Sequence, residues 1–287
     1  MRKRFKDLNL NSSFLFAALF SDPEACKMLL EILLDRKISK VNVKTENSIL
    51  LSSDARCIRL DVNARDEFNV NYDIDAQNTD EGNIVKRARY YQAEMDVAEL
   101  KPGDDFNRLP DSYVIFICTF DPFGEGLYRY TFIERCEENG MALQDGTCKI
   151  FINTKGTNIK EVPEVLIHFL EYYENSTDEY VSSIDDKAIS NIHHKVTQLK
   201  SSREWEAGYM KMEELLEKKK REGHLEGIKE GQHYALVKLI LTFLSDKGDV
   251  SDVLKDRIDR ENDTDKLNQW IKLAVMADSI QSFEMKM

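Results

Sequence analysis

Period-two alternation marks two short stretches of the chain. From Cys57 to Arg65, Ile58, Leu60, Val62 and Ala64 alternate with Arg59, Asp61, Asn63 and Arg65. From Asn71 to Gln77, Tyr72, Ile74 and Ala76 alternate with Asp73, Asp75 and Gln77. Such alternation belongs to strands with one face on a core and the other polar. Asp66-Glu67-Phe68-Asn69 lies between them and has the polar character of a turn, so the pair reads as a hairpin. Symmetry about Phe68 sets Asp61 opposite Asp75 and brings Asp61, Asp75 and Gln77 onto one surface. Cross-strand Cβ atoms lie roughly 5 Å apart, where two like charges destabilise a sheet. A hard divalent cation such as Mg²⁺ removes that repulsion, because carboxylate oxygens are its preferred ligands and it keeps positions for water and a phosphate oxygen. Gln77 beside it can orient a water or a polar substrate group. The same pattern also fits a solvated sheet edge whose acids are balanced by Arg59 and Arg65, and spacing alone leaves both readings open.

Elsewhere the period changes. Between Ile84 and Leu100 the residues Ile84, Ala88, Tyr91, Met95 and Ala98 recur at helical spacing, leaving Lys86, Arg87, Arg89 and Tyr90 off the centre of the buried stripe. Ser12 or Ser13 caps a helix reaching Phe20. A second starts at Asp22-Pro23-Glu24, with Pro at its first helical position, and runs through Leu34 with Met28, Leu29, Ile32 and Leu33 toward the sheet. Val114 to Phe120 is a continuous apolar run, as in a central strand covered on both faces, and Asp121-Pro122-Phe123-Gly124 ends it. Tyr128 to Ile133 alternates again, and Lys149 to Ile152 supplies one more strand before the Lys155-Gly156 turn. Asp121, at a strand end, reads as structural.

Past Val162 the chain turns helical. Val165, Leu166, Phe169, Leu170 and Tyr173 mark one amphipathic helix, and Glu174 to Asp186 is acidic and rich in turn residues. His193 and His194 are adjacent, so they do not share a helical face, and they read as surface residues. Met210 to His233 is a charged helix carrying Gly223, Gly227 and Gly231 at four-residue spacing. A close-approach ridge for self-association and a flexible spacer both fit that spacing. Ala235 to Leu244, Val250 to Ile258 and Leu267 to Ile280 then read as a small bundle with Leu236, Leu239, Ile240, Phe243, Leu254, Trp270, Leu273 and Ala274 at its core.

Composition narrows the chemistry. With 287 residues and 42% hydrophobic content the chain can bury a full core and carry a smaller second unit. Five cysteines lack Cys-x-x-Cys spacing and are odd in number, which points to reduced thiols in a cytoplasmic setting and away from structural zinc. No apolar run approaches the roughly 20 residues of a membrane span. Net charge is -12, which argues against indiscriminate nucleic-acid binding, although a local basic patch can hold DNA on an acidic protein. Gly103, Gly124 and Gly126 lack the strand-to-helix setting of a phosphate loop or nucleophile elbow.

The stretches LDVNARDE (60–67), YDIDAQ (72–77), KRARYYQAEMD (86–96), YVIFICTFDPFGEGLYRYTF (113–132) and FINTKG (151–156) resemble the bacterial Rpn family of recombination-promoting nucleases and transposases, within the PD-(D/E)XK superfamily. The similarity runs from about Ser12 to Trp205 and into the glycine-punctuated tail. It implies an α/β fold with a PD-(D/E)XK-like mixed sheet flanked by helices, spanning 1–205, then a charged helical linker over 206–233 and a C-terminal helical region over 234–287. By resemblance Asp61 is the first metal-binding acid and Asp75 the second, where the family usually has Glu, so the carboxylate is one methylene shorter. Gln77 stands where the superfamily has Lys and Rpn proteins have Gln. Arg87, three before a Tyr, matches the family's basic position and, with Lys86 and Tyr90, is expected to contact or support a DNA phosphate. Glu24 or Glu31 could supply the further helix acid of related nucleases, and Glu24 reads more simply as a first-turn acid.

Two functions follow as expectations. One is a Mg²⁺- or Mn²⁺-dependent DNA endonuclease linked to recombination or mobile DNA, with Asp61 and Asp75 as ligands and Gln77 positioning water. The other is a degenerate nuclease fold acting as a DNA-binding or oligomeric interaction protein, with a homo-oligomer built through the C-terminal helices.

Overall fold

A computed structural model describes residues 3–44 and 62–287, which form two compact units divided after Met210. Asp61 and the residues before it on the first alternating stretch lie outside the described residues. Six strands form one mixed sheet: β1 (Val41–Val43), β2 (Val62–Asp66), β3 (Asn71–Gln77), β4 (Ser112–Cys118), β5 (Arg129–Phe132) and β6 (Thr147–Asn153), in the order β1-β2-β3-β4-β6-β5. β3, β4 and β6 run parallel in the middle, and the outer strands are antiparallel to their neighbours. The apolar run becomes β4, hydrogen-bonded on both sides as its lack of alternation requires.

The β2–β3 hairpin pairs Val62 with Ile74, Asn63 with Asp73, Ala64 with Tyr72 and Arg65 with Asn71, a register centred on Phe68. Asp66, expected in the turn, ends β2 and is buried. Its carboxylate accepts from the backbone N–H groups of Phe68 (3.0 Å) and Val70 (2.9 Å) and from the Tyr72 hydroxyl (2.7 Å). Asn69 supplies the left-handed residue at φ 67°, a conformation that its short polar side chain tolerates.

Before the sheet come α1 (Ser13–Phe20) and α2 (Pro23–Leu34). The Asp22 carboxylate caps α2, accepting from Ala25 N–H at 2.8 Å, and Pro23 opens its first turn. Leu29, Ile32 and Leu33 are buried as expected, whereas Met28 is only half-buried. α3 (Ile84–Glu99) crosses from β3 to β4 over one face of the sheet. After the sheet follow α4 (Glu164–Glu174), α5 (Asp178–Ser183) and α6 (Lys187–Lys200), which pack with α1 and α2 over Tyr72, Ile74, Ala76, Ile115, Ile117, Ile150 and Ile152 on the other face.

α5 occupies part of the segment expected as an acidic turn region. The Thr177 side chain accepts from Tyr180 N–H, Asp178 and Glu179 sit in the favourable first turn, and the Tyr180 hydroxyl donates to Glu171 at 2.8 Å. Of the two histidines expected at the surface, His194 is exposed, whereas His193 is half-buried with its ring within hydrogen-bond reach of the Tyr172 hydroxyl (3.0 Å) and Asp178 (2.8 Å).

A 43-residue helix, α7 (Arg203–Ser245), begins in the first unit and ends in the second. Gly223, Gly227 and Gly231 lie along its exposed middle, with open space where a Cβ would point. The second unit closes with α8 (Asp252–Asp259), α9 (Thr264–Met276) and α10 (Ile280–Glu284) around Ile240, Leu244, Leu254, Ile258, Trp270 and Phe283. Leu239, expected in that core, is 41% exposed, and Val237 is buried in the bundle instead.

Candidate active site on the covered polar face

The polar residues of β3 do not face solvent. Asp73, Asp75 and Gln77 point to the side of the sheet that α3 covers, beside Val114, Phe116 and Cys118 on β4, and the two aspartates are 6% and 8% exposed. The expectation of a half-buried strand therefore fails for β3. Two buried carboxylates need local cations or donors, since an unpaired buried charge is strongly unfavourable.

Arg87 of α3 supplies that charge to Asp75. Its Nη2 donates to Asp75 Oδ2 at 2.5 Å and its Nη1 to Gln77 Oε1 at 2.8 Å, while the Tyr91 hydroxyl accepts from Nη2 at 3.1 Å. The guanidinium lies 5.4 Å from the Phe116 ring centroid and 5.6 Å from that of Tyr91. Burial opposes its charge, but the Tyr91 hydrogen bond and the Asp75 carboxylate outweigh burial, and the Arg87 pKa is raised. Gln77 is oriented in turn, because its Nε2 donates to Thr79 O at 2.7 Å and leaves Oε1 for Arg87.

α3 keeps most of the stripe its apolar spacing indicates, with Tyr91 and Met95 packed against the same core as Ile84 and Ala88, and adds polar groups to it. Ile84, Ala88 and Gln92 are buried, Arg87 reaches inward, and Ala98 is exposed. Gln92 donates to the Ser112 hydroxyl, a polar contact that hydrophobic periodicity could not register. Lys86 and Tyr90 are exposed, and Lys86 forms no ion pair among the described residues. The structure therefore brings Asp75, Gln77 and Arg87 together and leaves Lys86 and Tyr90 on the outer side of the same helix. Asp61 lies outside the described residues.

Sequence reasoning passed over Asp73. It shares a strand face with Asp75 two residues on, which was the available signal. With Asn63, Glu94 and Glu99 it lines a cavity of about 140 Å³ between β2, β3 and α3. Arg65 closes the hairpin end of this face, donating from Nε to Asn71 Oδ1 at 2.7 Å and pairing with Glu99, which Lys44 also approaches at 3.5 Å. Burial works to raise the Glu99 carboxyl, but the Arg65 hydrogen bond and charge prevail and hold it below the usual carboxylate range. Glu24 is exposed in the first turn of α2, and Glu31 accepts from Ile38 N–H at 3.0 Å, so neither is drawn to this site. Asp121 accepts from the N–H groups of Phe123 and Gly126 and from the Tyr130 hydroxyl, a structural role.

The donors suit one class of metal. Asp75, Gln77 and Asp73 offer oxygen alone, the ligand chemistry of Mg²⁺ or Mn²⁺ and not of zinc or copper. Cys118, in register with Gln77, is pushed up to about 12 by burial and stays a thiol. Among the described residues no three His, Cys, Asp or Glu side chains are gathered closely enough to hold a metal.

A family model described as "PD-(D/E)XK nuclease family transposase" matches residues 11–222. No curated protein and no solved structure matches the chain.

Proposed function

The chain belongs to the PD-(D/E)XK nuclease family transposases, matched over residues 11–222 of 287, and from that premise we propose that it is a metal-dependent DNA endonuclease. Nucleases of this superfamily generally use divalent metals. The observation that carries the reading is the buried Asp75 carboxylate, held beside Gln77 on a helix-covered sheet face where acids need a positive partner. The described hairpin register, Val62 with Ile74 and Asn63 with Asp73, accords with Asp61 and Asp75 as the two metal ligands. A bound Mg²⁺ or Mn²⁺ would supply Lewis-acid stabilisation of the scissile phosphate and an acidified water. Asp75 would hold the ion, and Gln77, its amide already fixed by Thr79 O, would orient a water or a phosphate oxygen. Arg87 would hold the Asp75 carboxylate in place and balance its charge, with Phe116 and Tyr91 confining the guanidinium.

Plasmid cleavage under titrated Mg²⁺, run beside Asp61→Ala, tests this reading. Loss of cleavage with an unchanged circular dichroism spectrum supports it, and equal cleavage by the variant rejects the site.

One observation favours a second reading, a degenerate nuclease fold that binds DNA or assembles without cutting. Arg87 Nη2 already occupies Asp75 Oδ2 at 2.5 Å, a built-in cation on the oxygen that a metal would take. Tight DNA binding with no hydrolysis in Mg²⁺ or Mn²⁺ would decide for it.

A further inference from the structure

On the outer flank of α3, away from Asp75, a cavity, exposed aromatic surface and unpaired cations coincide. A cavity of about 360 Å³ opens between α3, β5 and β6. Its floor is aromatic: Phe123, Phe132 and Phe151 form a mutual cluster with ring centroids 5.1 to 5.7 Å apart, and Phe132 remains 45% exposed. Its rim carries Lys86, Arg89 and Lys149 against a single acid, Glu134.

These cations are unusual for this molecule. The chain carries a net charge of -12, and Arg36, Arg65, Arg87, Lys155 and Lys195 are each tied to a carboxylate. Lys86, Arg89 and Lys149 form no ion pair or side-chain hydrogen bond among the described residues, although the charge of Lys149 bears on Asp96. Free positive charge beside exposed aromatic surface is what a nucleic-acid strand recognises, with phosphates on the cations and a base on a ring face. A volume near the lower end of small-ligand pockets admits one nucleotide and not a folded segment. Duplex bases are stacked on one another and present no free face to Phe132, so the occupant is an unstacked base.

Topology ties this cavity to the candidate site. Asp75 pairs in register with Phe116, and Phe116 with Phe151, on β3, β4 and β6, so the aromatic floor begins two strands, about 10 Å, from Asp75. Phe116 and Phe151 stack at 5.6 Å, which makes the floor continuous with the ring beneath Arg87. Lys86 and Arg87 are neighbours in sequence that serve opposite flanks of one helix, Arg87 inward to Asp75 and Lys86 outward to the cavity.

We propose that this cavity is a binding site for one unpaired nucleotide of a nucleic-acid strand, with its base on Phe132 and its phosphate on Lys86 and Arg89. Its purpose rests on the nuclease reading, since it would direct the protein to junctions where single-stranded DNA meets duplex. Binding at the site is independent of cleavage.

Fluorescence anisotropy of the full-length chain in EDTA tests the proposal, using labelled oligothymidylate and a blunt duplex with the same number of phosphates. Phe132→Ala should weaken oligothymidylate binding about tenfold, Phe132→Trp should retain it, and neither should change duplex affinity by more than about twofold. Lys86→Ala with Arg89→Ala should weaken oligothymidylate binding and flatten its salt dependence. Unchanged oligothymidylate binding in Phe132→Ala overturns the proposal, as does an equal loss on both probes or no binding by the wild type. Competition by polyglutamate as effective as by unlabelled oligothymidylate would assign the site to an acidic polypeptide and overturn it. A changed sedimentation coefficient of Phe132→Ala would assign the surface to a second copy of the chain, with the same consequence. A protein that shows the expected binding pattern but never cleaves in Mg²⁺ or Mn²⁺ sinks the nuclease reading and leaves this site standing. One that cleaves normally with Phe132→Ala indistinguishable from wild type in binding does the reverse.

Discussion

The two faces of the central sheet are both buried, yet they are built by different rules. On one, Ile74 and Ala76 of β3, Ile115 and Ile117 of β4, and Ile150 and Ile152 of β6 are buried, as are Phe16, Leu29, Phe169 and Tyr173 of the helices on that side. On the other, the same three strands present Asp73, Asp75, Gln77, Phe116 and Phe151 to α3, which answers with Arg87, Tyr91 and Gln92. Burial on the first face is favourable because it removes hydrocarbon from water. The second must in addition satisfy each charge it encloses. A face that keeps carboxylates under a helix, where isoleucines would be simpler to bury, is where function is to be sought.

The largest break in that contrast is a truncation on the apolar face. Phe169→Ala, fully buried, should lower unfolding stability by about 3–5 kcal/mol in urea titration, and a loss below about 1 kcal/mol would mean that α4 is not part of the cooperative core. Asp75→Ala should cost somewhat less, about 2–4 kcal/mol, because it strands the Arg87 charge, whose side chain is 26% exposed. The sharper form adds Arg87→Met. Recovery of part of the loss in the double variant would identify the ion pair as its source, whereas strictly additive losses would refute the pairing.

Third in size is Tyr72→Phe. It removes the hydroxyl that donates to Asp66 at 2.7 Å and accepts from Arg36, at an expected cost of about 1–2 kcal/mol. Smaller still is Asp22→Ala, about 1 kcal/mol through the lost helix cap. Burial tends to raise the Asp22 carboxyl, but Lys195 and the Ala25 N–H pull it lower in the folded protein. A folded value below the unfolded one means that this contribution is full above the unfolded carboxylate range, about pH 4, and is lost as pH falls through the folded value. Thermal melts below pH 4 should therefore converge for wild type and Asp22→Asn, and a gap that widens on acidification would contradict the assignment. Lys86→Ala should move stability by less than about 0.5 kcal/mol, since its side chain lies at the surface.

Much of the architecture could be read from spacing. The β2–β3 hairpin, the apolar central strand β4, the Asp22-Pro23 start of α2 and the helical character of the C-terminal bundle each rest on local chemistry that the residues state directly, although the short α10 was not among the expected helices. Where reading failed, a side chain was answering to a distant partner. Gln92 is buried because Ser112 lies beneath it, His193 is half-buried because Tyr172 and Asp178 reach it, and α5 forms because Tyr180 finds the end of α4. Polar burial leaves no trace in a hydrophobic period, since the compensating partner is far along the chain.

Asp75 and Gln77 were visible as acids and amides on one strand face, and so was the basic run from Lys86 to Arg89. Which of those cations turns inward was not, because α3 has two edges of similar polarity and only its seat on the sheet distinguishes them. Alternation by itself determined β2 and β3, their hairpin pairing and the side of β3 on which Asp73, Asp75 and Gln77 fall, since side-chain direction follows from backbone geometry. Tertiary structure alone decided that this side is covered, that Arg87 rather than Lys86 meets Asp75, and that Lys86 and Arg89 are left beside Phe132. The reason is that helix rotation is set by the packing of Ile84, Ala88 and Tyr91 against Phe116 and its neighbours, a contact between segments that no window along the chain contains.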